Sequence, residues 1–396
     1  MEWKTSWSYL PVDYETSIGT IENITQRTVF WNNLSGKKVR ILFSNRFGKE
    51  PLILTHVVFG TKKHDGGEVL QHETVTFAGN QKIYMAPGEE FYSDEIGINV
   101  EPDMDLVLSV YLEEKTNVQS ACSTWAAKSW HTVYGCDGDF TITDIADAKE
   151  SREIYPYVEA DVNKANILVG ICKIDVYTDK KVETTVLFGD SITHMSYFAD
   201  ALMQRLFQRC PGSITVINRG IGGNRILHDA TYVEDIPGNG SVFGPAGAVR
   251  FENDAFDCGI PDKIVLLEGV NDMMHPEYFG HPDEAVTAEE LEDAVKNMIG
   301  LAHDKGSKIW LGTVMPFHDD EQPLCPNGEK VWAEYNQWIR GQKLADGIVD
   351  FACVAADENR PNYMKAGLHI GDGLHPGEEG GRLMAEETLR VVFGEE

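Results

Sequence analysis

The first 180 residues alternate short apolar runs with turn residues. In segments 37–45 (KKVRILFSN) and 105–114 (DLVLSVYLEE), apolar and polar positions alternate, as they do in half-buried antiparallel strands. Gly, Asn, Pro and Asp separate the runs, and these residues favour turns between strands. The pattern predicts strands in segments 27–33, 37–45, 51–60, 73–79, 81–88, 105–114 and 165–178. We therefore predict an all-β, jelly-roll-like sandwich for this region.

After residue 180 apolar runs alternate with longer stretches of helical spacing. Strands are predicted in segments 183–189, 214–218, 262–269, 308–316 and 347–351, and helices in segments 195–210, 287–306, 329–343 and 377–393. Thr287 and Glu290 have the spacing of a capping box at the start of one helix, and Gly306 is a stop signal at its end. Strands that alternate with helices indicate a parallel, doubly wound α/β sheet. Ligands bind at the carboxyl ends of the strands in such sheets.

The change of pattern also predicts the domain organisation. A chain of 396 residues is long for one hydrophobic core, because cores stop growing at roughly 250–300 residues. The polar segment 176–185 (VYTDKKVETT) separates the two patterns. We predict an N-terminal β-sandwich domain over 1–180 and an α/β domain over 181–396.

The charge of the chain narrows the choice of partners. Acidic residues number 63 against 34 basic ones, and the formal net charge is −29. A field of this sign repels phosphate backbones and anionic headgroups, so we predict neither nucleic acid nor membrane as a partner. The N-terminus lacks the basic and apolar regions of a signal peptide, which predicts a cytoplasmic protein. Seven scattered cysteines without CxxC spacing indicate reduced thiols rather than a disulfide framework or a zinc finger.

Two of the predicted strands are followed by residues whose groups can react or bind a ligand. The segment 185–198 (TVLFGDSITHMSYF) sets Ser191 just after a strand, where it is either a nucleophile or a helix cap. The segment 216–226 (VINRGIGGNRI) ends in glycines that allow a backbone N–H to approach a ligand closely, although glycines after a strand also form ordinary turns.

Two later segments supply further polar groups. In 265–273 (VLLEGVNDM), the Asn271 amide follows a strand and is either a hydrogen-bond donor to an oxyanion or an Asx-turn former. In 371–381 (GDGLHPGEEGG), Asp372 precedes His375 by three residues. A carboxylate at that spacing can accept the Nδ1 proton of the imidazole and leave Nε2 free to deprotonate a serine. A lone DxxH is also a candidate for metal ligation.

In identity, order and position these four segments resemble the blocks of the SGNH (GDSL-type) hydrolase family, whose catalytic domain is a flavodoxin-like three-layer α/β/α fold. The resemblance makes Ser191 the nucleophile and Asp372 and His375 the other members of a catalytic triad. It makes the Ser191 N–H, Gly223 and Asn271 the donors of an oxyanion hole. It implies acyl transfer through an acyl-enzyme, without a metal or organic cofactor.

The resemblance favours one of two glycines in the second block. When NRGIGG is aligned on that block, its last glycine, Gly223, takes the oxyanion position, and Gly222 is the alternative one residue away. Asp190 is expected to shape the turn rather than to react. Segments 25–52 and 247–256 resemble a branch of the family that carries an N-terminal β-sandwich.

We predict a serine esterase that acts on short-chain carboxylic esters of small molecules or oligosaccharides, with acetyl groups on carbohydrates as the first candidate. The aromatic residues Tyr197, Phe198 and Phe317 either stack on sugar rings or belong to the core. An acyltransferase with the same triad and a non-catalytic carbohydrate-binding protein are the alternatives. A metallohydrolase is a further alternative, and its candidate ligands are His318, Asp319, His369, Asp372 and His375. No pattern in the sequence indicates an oligomeric state.

Overall fold

The structure is a computed structural model that describes residues 1–67, 69–125, 128–159, 166–234, 236–318 and 325–394. The contacts divide the chain into two compact units. The first contains Met1–Glu183 and Leu206–Thr215, and the second contains Thr184–Arg205 and Val216–Glu396. The division at 180/181 remains a prediction for two separate domains.

The N-terminal unit consists mainly of strands. They are β1 Glu2–Ser8, β2 Val12–Asp13, β3 Thr20–Ile21, β4 Ile24–Phe30, β5 Lys38–Ser44, β6 Leu52–Leu54, β7 His56–Lys63, β8 Val69–Thr74, β9 Ile83–Met85, β10 Glu90–Tyr92, β11 Met104–Leu112, β12 Thr116–Asn117, β13 Ser120–Thr124, β14 Trp130–Cys136, β15 Ala148–Glu150, β16 Asn166–Val169 and β17 Ile171–Thr178. Two short helices, α1 Ser151–Ile154 and α2 Pro156–Glu159, lie between β15 and β16.

Antiparallel sheets dominate this unit. Within the described residues the largest has six strands in the order β15-β14-β4-β11-β7-β8, and another has four in the order β1-β17-β5-β10. The ring of Trp7 on β1 lies 4.6 Å from that of Phe30 on β4 and 5.6 Å from that of Trp130 on β14. Large aromatic side chains therefore fill the core between strands of different sheets. The predicted all-β architecture is confirmed.

The C-terminal unit alternates strands with helices. Its elements are β18 Glu183–Gly189, α3 Ser191–His194, α4 Tyr197–Arg209, β19 Ile214–Gly220, α5 Gly247–Phe256, β20 Lys263–Leu267, α6 Val270–Tyr278, α7 Ala288–Asp304, β21 Lys308–Gly312, α8 Pro326–Gly341, β22 Gly347–Val349, α9 Phe351–Ala355 and α10 Glu378–Val392. Short 3₁₀ segments occupy Pro237–Phe243 and Pro282–Glu284. None of the helices in the described part of the chain is long and apolar enough to cross a membrane.

In the described part of this unit, one sheet of five strands runs in the order β19-β18-β20-β21-β22. The pairs β18/β20, β20/β21 and β21/β22 are parallel, which confirms the predicted α/β fold. Gly189 at the end of β18 lies opposite Leu267 at the end of β20, and the Ile221 N–H just after β19 donates to the Gly189 carbonyl at 3.0 Å. The segments that follow β19, β18 and β20 therefore emerge at one edge of the sheet. Three of the four sequence blocks therefore meet there.

Helix α7 begins and ends as its sequence predicts. The Glu290 side chain accepts the Thr287 N–H at 2.9 Å, and Thr287 Oγ1 accepts the Glu290 N–H at 3.3 Å, so the capping box is confirmed. The helix ends at Asp304, two residues before Gly306. Helix α5 was not predicted from the apolar pattern, and it supplies the arginine that links the strand ends described below.

Candidate active site

The predicted nucleophile begins the one-turn helix α3. Asp190 precedes it as the N-cap, and its carboxylate accepts the Ile192 N–H at 3.0 Å. Asp190 therefore shapes the turn, as its place in the sequence indicates. Ser191 is 8% exposed.

His375 and Asp372 lie in the loop that leads into α10. Asp372 Oδ2 lies 2.6 Å from His375 Nδ1. Asp372 Oδ1 accepts the backbone N–H groups of Leu374 and His375 at 3.0 and 2.9 Å. Nε2 of the same imidazole lies 2.8 Å from Ser191 Oγ. The structure thus brings the three predicted side chains into one hydrogen-bonded chain, although Ser191 and His375 are 184 positions apart.

Asp372 is held in its ionised form. Burial opposes its ionisation, but the hydrogen bond and charge of His375, together with the backbone N–H groups of His375 and Leu374, lower its pKa to about 2. A carboxylate in this state accepts the Nδ1 proton and stabilises a positive charge on the imidazole.

The glycines of the second block form the loop after β19. The Gly222 N–H donates to His194 Nδ1 at 3.1 Å. Gly223 has a φ of 74°, a region that favours glycine, and a Cβ at this position would collide with the Phe243 ring. Among the described residues, no hydrogen bond uses the Gly223 N–H. The geometry therefore leaves the Gly223 N–H, rather than that of Gly222, available to an oxyanion.

Asn271 lies in the first turn of α6 and is 5% exposed. Its Nδ2 donates to the Asn224 carbonyl at 2.9 Å, a contact across 47 positions rather than a local Asx turn. Since an amide nitrogen carries two protons, one of them remains for a ligand. The next residue, Asp272, accepts the N–H groups of Ile226 and Leu227 at 2.7 and 3.0 Å. Two consecutive side chains of α6 thus hold the glycine loop.

Arg250 on α5 donates hydrogen bonds to the ends of β18 and β19 and to the glycine loop. The sequence alone did not indicate this role. Its guanidinium donates to the Gly189 carbonyl at 2.9 Å, the Arg219 carbonyl at 3.0 Å and Asn224 Oδ1 at 2.7 Å. It also lies 3.9 Å from the centre of the Phe188 ring. The only sequence signal for this role is a basic residue in an otherwise amphipathic stretch.

Three carboxyl groups in these segments are buried. Burial raises the pKa of Asp190 to about 7, that of Glu268 to about 8 and that of Asp272 to about 6. The charge of Arg250 opposes the shift at Glu268, and backbone hydrogen bonds oppose the shifts at Asp190 and Asp272. Burial and the nearby Arg225 lower the pKa of His275 to about 3, so this ring is neutral at physiological pH.

The aromatic residues considered for sugar stacking do not share one environment. Phe198 is fully buried, with its ring 5.3 Å from that of Phe351, and Phe317 is 7% exposed. Both belong to the core, because burial hides the ring faces that a sugar would cover, so a stacking role for them is wrong. Tyr197 is half-buried at the start of α4.

The metal-ligand alternative is not supported by a ligand cluster. Within the described ranges, no group of three or more His, Cys, Asp or Glu side chains is placed to hold a metal ion. His318 pairs with Glu329 at 2.7 Å, whereas His375 pairs with Asp372. Asp319 lies outside the described residues.

Comparison with known proteins gives a family for this region. Residues 187–383 match the GDSL-like Lipase/Acylhydrolase family. The chain has no significant match among curated protein sequences. Similar solved structures include LAE5, an alpha/beta hydrolase enzyme from the metagenome of Lake Arreo, Spain, with 19% identity, a TM-score of 0.40, and coverage of 53% of this chain and 95% of that one. Another is Axe2, an acetylxylan esterase from Geobacillus stearothermophilus, with 19% identity, a TM-score of 0.39, and coverage of 53% and 94%. Residues 187–383 therefore form a domain of the GDSL-like lipase/acylhydrolase type, as expected of a serine hydrolase.

Proposed function

We propose that Ser191, His375 and Asp372 form a catalytic triad and that the protein hydrolyses short-chain carboxylic esters. The observation that carries the proposal is the continuous chain from Ser191 Oγ to His375 Nε2 at 2.8 Å and from His375 Nδ1 to Asp372 Oδ2 at 2.6 Å. Each distance is short enough for a direct hydrogen bond, which proton transfer to the imidazole requires.

In the proposed reaction Ser191 Oγ attacks the ester carbonyl while His375 Nε2 takes its proton. The resulting oxyanion accepts hydrogen bonds from the Ser191 and Gly223 N–H groups and from Asn271 Nδ2. His375 then returns the proton to the leaving alcohol, which departs and leaves an acyl-enzyme. Water attacks this ester with His375 again as the base, and the proton on Nε2 then passes to Ser191 Oγ as the C–O bond breaks and the carboxylic acid is released. The donors matter most in the tetrahedral states, where the charge on oxygen is largest.

The surroundings of Gly223 favour a small acyl group. The Phe243 ring is in contact with Gly223 and is 9% exposed. It lies 5.1 Å from the His275 ring, which is itself 4.8 Å from that of Phe279. We infer that these packed rings limit the length of the acyl chain beside the proposed oxyanion hole. Among short esters we propose acetyl groups on carbohydrates, since the net charge of −29 disfavours approach to anionic lipid surfaces.

The test is a panel of nitrophenyl acetate, butyrate and octanoate together with acetylated xylo-oligosaccharides. We expect kcat/KM to fall as the acyl chain lengthens. Ser191→Ala should reduce kcat by about 10⁶ while the circular dichroism spectrum stays unchanged. Activity of the Ser191→Ala variant at more than a few per cent of wild type would remove Ser191 as the nucleophile.

The panel also separates the alternatives. A fluorophosphonate probe that failed to label Ser191 in the folded protein would favour a non-catalytic binding protein. Transfer of the acetyl group to an added alcohol or sugar in preference to water would favour an acyltransferase, because both reactions share the acyl-enzyme.

A further inference from the structure

One side chain of the nucleophile turn contacts the glycine loop directly. His194 is three residues after Ser191 on α3 and is 3% exposed. Its Nδ1 accepts the Gly222 N–H at 3.1 Å. Because Nδ1 accepts, the ring is in the neutral tautomer that carries its proton on Nε2.

This hydrogen bond decides which amide of the loop is free. A peptide N–H makes one strong hydrogen bond, so the Gly222 N–H is withdrawn from any substrate. The Ile221 N–H is likewise used, since it donates to the Gly189 carbonyl at 3.0 Å. The next donor along the chain is the Gly223 N–H, at the residue with positive φ. Two bonded amides thus precede the one that is left for the oxyanion.

At Gly220, the loop and the turn that carries Ser191 approach each other too closely for any residue other than glycine. A Cβ at Gly220 would lie 2.7 Å from His194 Cα and 2.9 Å from the Asp190 carbonyl oxygen. Asn218 Nδ2 donates to the Thr193 carbonyl at 2.7 Å, and Asn218 Oδ1 accepts the Gly220 N–H at 2.9 Å. A change at His194 is therefore transmitted to the loop through direct contacts.

We propose that His194 is a positioning residue for the oxyanion hole. It holds the Gly222 N–H, so that the peptide plane turns and the Gly223 N–H faces the site, and it touches no substrate itself. This inference rests on the proposed esterase function. It differs from a packing role because it requires a hydrogen-bond acceptor at the position of Nδ1, rather than only a side chain of suitable volume.

Two conservative variants separate these roles. Asparagine places its Oδ1 near the position of histidine Nδ1, whereas glutamine places its Oε1 near that of Nε2. His194→Asn should keep kcat for nitrophenyl acetate within about fivefold of wild type, and His194→Gln should lower it by at least about tenfold with KM changed by less than about threefold. The decrease of kcat in His194→Gln should not exceed the roughly 10²–10³-fold decrease that follows loss of an oxyanion donor.

His275 supplies a matched control. It is also a buried histidine, 6% exposed, and its Nδ1 has no hydrogen-bond partner among the described residues. Neither His275→Asn nor His275→Gln should therefore change the hydrogen–deuterium exchange rate of the Gly222 amide. Equal kcat values for His194→Asn and His194→Gln would overturn the positioning role, provided that thermal unfolding curves show both variants to be folded.

Hydrogen–deuterium exchange gives a readout that does not depend on activity. The Gly222 amide should exchange faster in His194→Gln than in wild type and His194→Asn, and equal protection in all three proteins would also overturn the inference. If the wild-type protein hydrolysed no ester, the proposed function would fail, whereas the exchange result would still decide whether His194 holds the loop.

Discussion

Replacement of Asn271 tests the proposed oxyanion hole most directly, because the proposal gives the two protons of its amide separate tasks. One is donated to the Asn224 carbonyl at 2.9 Å, and in the proposed mechanism the other is donated to the oxyanion. Asn271→Ala removes both donors. Loss of the oxyanion bond should lower kcat by roughly 10²–10³, or about 2.7–4 kcal/mol of transition-state stabilisation. Loss of the partner of a buried carbonyl should lower the free energy of unfolding by about 1–3 kcal/mol.

Asn271→Asp has nearly the same shape and separates the two tasks further. A carboxylate is an acceptor, so it repels both the oxyanion and the Asn224 carbonyl. It would also stand beside the buried carboxyl group of Asp272, whose pKa burial already raises to about 6. We expect Asn271→Asp to have a kcat no higher than that of Asn271→Ala.

Steady-state hydrolysis of nitrophenyl acetate and urea unfolding measure the two effects separately. Asn45→Ala is a matched control, because Asn45 is 4% exposed and its amide donates to the Glu50 and Ala86 carbonyls of the N-terminal unit at 2.9 and 3.1 Å. It should cost stability with kcat within about threefold of wild type. A folded Asn271→Asp protein with near-normal kcat at neutral pH would remove Asn271 from the site.

Further predictions concern Asp372, whose pKa is lowered, and Glu268, whose pKa is raised. Asp372, with a pKa of about 2, stays ionised throughout the working range, so its own protonation should add no limb to the kcat/KM profile above about pH 4. Asp372→Asn should lower kcat by about 10⁴ across that profile, and a loss below about tenfold would contradict the triad. Burial raises the pKa of Glu268 to about 8, above its value of 4.5 in an unfolded chain. Its contribution to stability is therefore complete below the unfolded pKa and is lost as pH rises through about 8. Urea unfolding between about pH 7 and pH 9 should show stability falling in the wild type and falling less in Glu268→Gln; parallel curves would contradict the shift.

The sequence was sufficient to predict those elements whose boundaries depend only on residues close to them in the chain. The capping box of Thr287 and Glu290 needs only two side chains three positions apart, and it is present as predicted. The β18 segment has no charged residue after Glu183, ends in an apolar run over 186–189 and is buried after its first residue, as a strand covered on both faces should be. The order of the four blocks likewise indicated the family, because each block follows a recognisable strand or precedes a helix.

Other boundaries depend on distant contacts. Segments 51–60 and 165–178 were each predicted as one strand, but each divides between two sheets, into β6 and β7 and into β16 and β17. Gly170 makes the second division with a φ of 81°, and a Cβ there would lie 3.1 Å from Leu52 Cδ2. Strands β1, β13 and β14 were missed, because their apolar residues do not alternate regularly.

The sequence by itself determined the two fold patterns, the family resemblance and the candidate residues, since periodicity and short motifs are local properties. Only the tertiary structure decided how those residues meet. The sheet order that makes β19, β18 and β20 neighbours, the 2.8 Å approach of His375 to Ser191, and the hydrogen bond from Gly222 to His194 all join positions far apart in the chain. Such contacts depend on how whole elements pack, and no local pattern of side chains specifies them.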